Sequence, residues 1–318
     1  MIKGLKSNRI FKNGRFEPGI IYFNSSLIVE KGSSYTDLGD ALIIPRLIDL
    51  QVNGGFDIDL AREPERVEEL AIKLYQTGIG AFCPTLISLP FSNYKKALSY
   101  FKPRKVKNGA AILGAHLEGP ILSIPGAHDP NNLSTLDKLP LDNVKIITLA
   151  PELATPAYIA KLRKKGIIVS VGHSNASFSL LKKYKIPFVT HLFNAMGPFH
   201  HRTPGIIDYA LTEPVYYSLI GDGKHVSKTA IEIAKRSNPD GLILVSDLNP
   251  SFGSKKKTFT LGSKTYKKGD LAGSDTSLLE MAVDLQDIAA VTERPAKLLG
   301  LEKLGTLEPG APSDFLVL

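Results

Sequence analysis

The sequence predicts an α/β protein, a TIM-type (β/α)8 barrel carrying a small, reduced β-domain built from the two chain ends. Three observations predict it. Eight short apolar runs alternate with helical stretches between about residues 47 and 249, the pattern of βα units and a parallel sheet. Polar residues able to do chemistry fall at the C-terminal ends of those runs, the rim on which barrels build their sites. Residues 1 to about 45 read instead as short strands broken by turns. The expected division is 1–45 with 305–318 for the β-domain and 46–304 for the barrel.

In chain order, IIYFNSSLIVEKG reads as a hairpin. The barrel strands are LIDLQVN, AFCPTLIS, AAILGAHLEG, VKIITLAPE, IIVSVGHS, FVTHLFNA, YYSLIGDG and LILVSDLN. Between them, EPERVEELAIKLYQTG and TPAYIAKLRKKG space their apolar residues helically and end on Gly78 and Gly166, residues suited to a helix C-terminus. SFSLLKKYK makes a shorter helix. From about 255, KKKTFTLGSKTYKKGDLAGS reads as a hairpin excursion. TSLLEMAVDLQDIAAV and ERPAKLLGL follow as a helical tail, and GTLEPGAPSDFLVL turns into a last strand. An open doubly wound sheet would share this periodicity; the rim residues favour the barrel.

Composition narrows the function. No run of about 18 apolar residues occurs, so no membrane partner is expected. The N-terminus lacks the apolar core of a signal peptide. Cys83 is the only cysteine, which excludes an intrachain disulfide and fits a reducing cytoplasm. The 39 Lys and Arg exceed the 31 Asp and Glu, a net charge of +8. That charge lies in separate short clusters without interleaved aromatics, so nucleic acid is not an expected partner. A small phosphorylated ligand is compatible with it.

Glu118, His173 and His191 stand at the ends of three strands. A carboxylate and two imidazoles suit Zn2+, and equally Fe2+ or Co2+. Three protein ligands leave room for water, whose pKa a divalent ion lowers to about 7. Asp247, ending LILVSD, is placed to accept that water's proton and deliver it to a leaving amine. His128, His225 and Arg202 are candidates for substrate contact, with Asp222 on the same turn as His225. The HHR loop at 200–202 offers cationic groups for an anion. In LAGSDTSLLEM, small residues before a helix let a ligand approach the backbone.

At these residues the chain resembles the N-acetylglucosamine-6-phosphate deacetylases of the amidohydrolase superfamily. PRLIDLQVNGGFDIDL, GAHLEGPIL, GAHDPN, VSVGHSNAS, THLFNAM, RTPGIID, GDGKHV, LVSDLNPSFG and LAGSDTSLLEMAV occur in family order from about 45 to 285. The resemblance implies a metal-dependent deacetylase with Glu118, His173 and His191 as metal ligands. It implies Asp247 as acid/base and His128 as the group polarising the acetyl carbonyl, with Ala127 beside it at the substrate. Asn194 and Ala195 match a turn contacting phosphate and sugar. Arg202 matches a phosphate contact that family dimers supply from the neighbouring subunit. His225 matches a sugar-hydroxyl contact, and Leu271, Ala272 and Gly273 a substrate loop. A homodimer is implied too.

Two departures matter. Many amidohydrolases carry His-x-His on the first strand and bind two metals; here the residues are Gln51 and Asn53, so one ion is expected. Relatives usually continue past DFLVL, hence the reduced β-domain. The alternatives are the same chemistry on N-acetylgalactosamine 6-phosphate, a dihydroorotase-like cyclic amidohydrolase, which Gln51 and Asn53 disfavour, and a non-catalytic sugar-phosphate sensor, which Asp247 disfavours.

Overall fold

The computed structural model describes residues 2–134 and 139–318. Strands β1 (Lys3–Lys12) and β2 (Arg15–Phe23) pair antiparallel across a two-residue Asn13-Gly14 turn. Both turn residues have positive φ, 49° and 78°, the twist that suits a tight hairpin. β3 (Ile28–Val29) adds to β2, so the expected hairpin at IIYFNSSLIVEKG is present. β4 (Thr36–Asp37) and β5 (Leu42–Pro45) both lie parallel to β1. Ile10, Ile21, Ile43 and Leu307 form this sheet's own apolar cluster.

The chain then enters the barrel through β6 (Leu47–Val52), buried at every position. A strand covered on both faces must be apolar throughout, which is why these strands read as continuous runs. After a short β7–β8 arm (Gly54–Gly55, Ile58–Asp59), helix α1 (Val67–Gln76) buries Val67, Leu70, Ala71 and Leu74, one helical stripe, and gives way at Gly78 with φ 97°. β9 (Ile79–Leu86), α2 (Phe91–Tyr100), β10 (Ala111–Ile112) and β11 (Ala115–Glu118) follow. The run AAILGAHLEG is thus two strands, interrupted at Gly114 with φ 107°.

Among the described residues no α-helix joins β11 to β12 (Val144–Leu149); a 3-10 turn at Pro130–Asn132 lies in the connection. The remaining units are α3 (Pro156–Lys164), β13 (Ile168–Val171), α4 (Phe178–Tyr184), β14 (Phe188–Val189), α5 (Ile206–Thr212), β15 (Tyr216–Leu219), α6 (Lys228–Ser237) and β16 (Leu242–Leu244). Thr155, Ser177 and Ser227 cap α3, α4 and α6 by accepting from backbone N–H groups. The eight strands β6, β9 and β11 to β16 pair in parallel in that order. The ring closes beyond β16, where the Leu248 carbonyl accepts from Asn53 N–H at 2.9 Å and Gly54 N–H at 3.1 Å.

Past the barrel strands comes the hairpin β17 (Thr258–Leu261) and β18 (Lys264–Lys267). α7 (Leu278–Asp284) opens with a Ser277/Glu280 capping box. The helical tail does not run to Val291. Gln286 turns to φ 50°, and Asp287 caps a separate 3-10 turn at Ile288–Val291 before α8 (Glu293–Leu299). Finally β19 (Phe315–Val317) pairs antiparallel with β5, so both chain ends share one small sheet. No helix among the described residues is long and apolar enough to cross a membrane.

Candidate active site

Glu118, His173 and His191 converge. Their ligand atoms all lie within 4.8 Å of one another, and all three side chains are buried. Glu118 Oε1 is 3.1 Å from His173 Nε2 and 2.7 Å from His191 Nε2, and the two Nε2 atoms are 3.2 Å apart. The Ile124 carbonyl, 2.8 Å from His173 Nδ1, takes the Nδ1 proton and leaves Nε2 a free lone pair. Three such ligand atoms packed this closely need positive charge among them, supplied by a proton on an imidazole or by a metal ion. The donor set therefore fits a divalent metal. His173 and His191 have φ of 51° and 34°, a left-handed backbone that L residues adopt only under surrounding constraint. Ser218 Oγ accepts from His191 N–H at 2.7 Å and supplies part of that constraint. Burial alone would raise the Glu118 carboxyl, but the two imidazoles hold it well below the usual carboxylate range.

Asp247, also buried and at φ 48°, faces this cluster. Burial, reinforced by the charge of Glu118, pushes its carboxyl up to about 7. A carboxyl poised near neutrality both accepts and returns a proton readily. Asn53 Nδ2 donates to Asp247 Oδ1 at 2.7 Å. Among the described residues the Asn53 Oδ1 atom and both amide atoms of Gln51 are buried without a hydrogen-bond partner.

His128 approaches from the other side, its Nε2 3.8 Å from Glu118 Oε2. The Ser88 backbone N–H reaches His128 Nδ1 at 3.1 Å. An N–H can only donate, so Nδ1 is the acceptor and the proton of the neutral ring sits on Nε2. Burial, with His173 adding to it, pushes the His128 imidazolium down to about 3. His128 thus presents a neutral Nε2–H to the cluster.

These groups line a cavity of about 490 Å3. Ala127, Asn194, Ala195, His225, Leu271 and Gly273 line it as well. His225 Nδ1 donates to Asp222 Oδ2 at 2.8 Å, which leaves Nε2 as an acceptor. Asp222 lies behind His225 and does not line this cavity. Its carboxylate accepts from the backbone N–H groups of Lys224 and His225 and from Ser274 Oγ. The bond from the His225 ring, with the backbone N–H groups of His225 and Lys224, outweighs burial and holds it far below the usual carboxylate range. Ala272 is buried among Ile87, Phe259 and Leu261. Gly273, at φ 69°, has no room for a side chain, because a Cβ would stand 2.5 Å from the Asp247 carbonyl oxygen. His116, another strand-end histidine, sits below the site with both ring nitrogens used, by the Leu50 carbonyl and Thr148 Oγ1. Arg202 is exposed, on a loop with His200 and His201, and none of the three lines the cavity.

Sequence reasoning missed the cover of this cavity. Lys264 and Tyr266 on β18 line it, and Asn249 Nδ2 holds the 271–273 turn through the carbonyls of Ala272 and Gly273. Lys264 and Tyr266 alternate with exposed neighbours, so the period of two in SKTYK carried the signal. It did not say what that face would meet.

No family model matches the chain. The N-acetylglucosamine-6-phosphate deacetylase of Rattus norvegicus is 36% identical to it, over 99% of this chain and 88% of that protein. Among solved structures, the N-acetylglucosamine-6-phosphate deacetylase of Pasteurella multocida superposes with a TM-score of 0.87 at 26% identity, covering 100% of this chain and 95% of that one. A Mycobacterium smegmatis deacetylase mutant, in complex with N-acetyl-D-glucosamine-6-phosphate, gives a TM-score of 0.87 at 25% identity, covering 100% and 95%. With likeness running the whole length of the chain in both sequence and fold, the chain belongs to the N-acetylglucosamine-6-phosphate deacetylase family.

Proposed function

We propose that this protein hydrolyses the acetamide of N-acetylglucosamine 6-phosphate, releasing glucosamine 6-phosphate and acetate. The observation that carries the reading is the meeting of Glu118, His173 and His191 with Asp247 and His128 at one cavity, in a chain of this family. Glu118, His173 and His191 would hold one divalent ion. We assign Zn2+, although Fe2+ and Co2+ accept the same donors. When bound, such an ion supplies Lewis acidity and lowers the pKa of water. Gln51 and Asn53, being amides, are poor ligands for a second.

The chain's own groups divide the remaining work. Asp247 takes a proton from the attacking water through the oxygen that Asn53 leaves free. It then passes that proton to the amine nitrogen, which leaves only when protonated. His128 donates its Nε2–H to the acetyl oxygen, where negative charge develops. His225 Nε2 accepts from a sugar hydroxyl, with Asp222 fixing the ring's tautomer. Asn194, Ala195, Leu271 and Gly273 shape the sugar's place. Arg202 is exposed and does not line its own cavity; in this reading it serves as a phosphate contact from a neighbouring copy, which makes the working unit a homodimer. We place the enzyme in the cytoplasm.

Acetate release from N-acetylglucosamine 6-phosphate tests the reading. Activity should disappear with a chelator and return with added Zn2+, and N-acetylgalactosamine 6-phosphate in parallel reads the epimer preference. Metal-loaded protein that releases no acetate, or a rate indifferent to chelation, would overturn it.

A further inference from the structure

We infer that the β17–β18 hairpin is a positioning element of this reaction, in which Lys264 and Tyr266 grip the main chain of the His128 loop and so aim its Nε2–H. The inference rests on the deacetylase reading above.

Two side chains on one face of β18 donate to consecutive carbonyls of that loop. Lys264 Nζ reaches the His128 oxygen at 2.8 Å, and Tyr266 Oη reaches the Ala127 oxygen at 3.0 Å. Ser263 Oγ adds a bond to Asp129 Oδ2 at 2.9 Å. The loop needs such support. Between the end of β11 and the 3-10 turn at Pro130 it has no regular element of its own. The His128 ring is held at its far side by Ser88, through Nδ1. Within the loop His128 N–H donates to the Pro125 carbonyl at 2.9 Å, and Ser123 and Ile124 N–H donate to the His173 carbonyl, but these bonds leave the 127–129 carbonyl side unheld. The hairpin supplies the second anchor.

The hairpin is itself fixed. Gly262 N–H, at the turn, donates to Asp59 Oδ2 at 2.8 Å, and Phe259 and Leu261 pack on Ile87 and Ala272 in a cluster separate from the main core. An isolated two-stranded hairpin is marginal in water, so its place depends on these anchors. The hairpin therefore links the arm after the first barrel strand to the loop after the third. Lys264 has a competing role open to it, because it lines the cavity and carries a charge suited to phosphate. The one bond its ammonium makes to the main chain goes to the His128 carbonyl, the contact on which the positioning role rests.

The test uses full-length, metal-loaded protein and the variants Lys264→Met, Lys264→Arg and Tyr266→Phe. Each is assayed on N-acetylglucosamine 6-phosphate and on unphosphorylated N-acetylglucosamine, with amide hydrogen exchange followed over residues 125–133. Misplacing a catalytic group by about 1 Å can cost up to about 100-fold in rate. Loss of one of the hairpin's three bonds to the loop should lower kcat about tenfold in Lys264→Met and Tyr266→Phe. The drop should be equal on both substrates, with KM little changed and faster exchange in the loop. Lys264→Arg, which keeps a donor, should recover most of the rate. Unchanged kcat and exchange would overturn the inference. So would a KM rise confined to the phosphorylated substrate, which would make Lys264 a phosphate ligand. Wild-type protein that releases no acetate would overturn the deacetylase reading instead, while the exchange result would still decide the clamp.

Discussion

Asn53 Nδ2 donates to Asp247 Oδ1 at 2.7 Å, joining residues 194 positions apart across the seam where the barrel closes. The bond occupies one carboxylate oxygen, and the proposed proton transfer runs through the other. Asp247→Asn should keep the metal, since Asp247 is not in the ligand set, yet lose at least about 10³-fold in kcat, within the range of general acid–base catalysis. Asn53→Ala should cost less, about tenfold in kcat, with little effect on KM. Metal analysis and steady-state kinetics read both. An Asp247→Asn enzyme near wild-type rate would remove Asp247 from the proton path.

Arg202 is exposed and outside its own cavity, so a role at the phosphate demands a second copy. Arg202→Ala should raise KM for the phosphorylated sugar and leave the unphosphorylated one almost unaffected. Mixing inactive Asp247→Asn subunits with Arg202→Ala subunits should restore activity. Each hybrid dimer then has one site with its own Asp247 and a borrowed Arg202, about a quarter of all sites on random pairing. No gain on mixing would place Arg202 in its own subunit or outside the site.

Asp49 is fully buried on β6, and burial pushes its carboxyl up to about 6 despite donors from Ser246 and the Gln51 backbone. The folded-state value lies above the ordinary 3.8, so folding takes up a proton in this interval. This stabilising contribution is fully present below about pH 4 and is lost as pH rises through 6, a difference on the order of 3 kcal/mol. Asp49→Asn cannot ionise. Its melting temperature relative to wild type should therefore rise by roughly 3 °C between pH 4 and pH 8. A difference that stays flat across that interval would show the carboxyl ionised throughout.

The barrel was legible because its strands are buried on both faces. Such strands must be uninterrupted apolar runs, and each of the eight expected runs overlaps a barrel strand. Glu118, His173 and His191 were legible as a group for a related reason, since parallel strands bring their C-terminal ends to one rim. Asp222 was harder. A strand-end carboxylate looks the same whether it faces a ligand or orients a neighbour, and only the 2.8 Å bond to His225 Nδ1 separates the two. The hairpin over the cavity was visible as a hairpin, but its partners at 127–129 lie some 135 residues earlier, and local periodicity carries no information at that range. The break after α7 turns on Asp287 capping a new turn, a local hydrogen bond that competes with the helix.

The closure at Leu248 also makes one pair of side chains depend on the whole ring. Asn53 follows the first barrel strand and Asp247 the last, so the two meet only where the end of the ring returns to its beginning. Loosening at that seam would part the Asp247 carboxyl from its amide partner while leaving Glu118, His173 and His191 grouped on their own neighbouring strands.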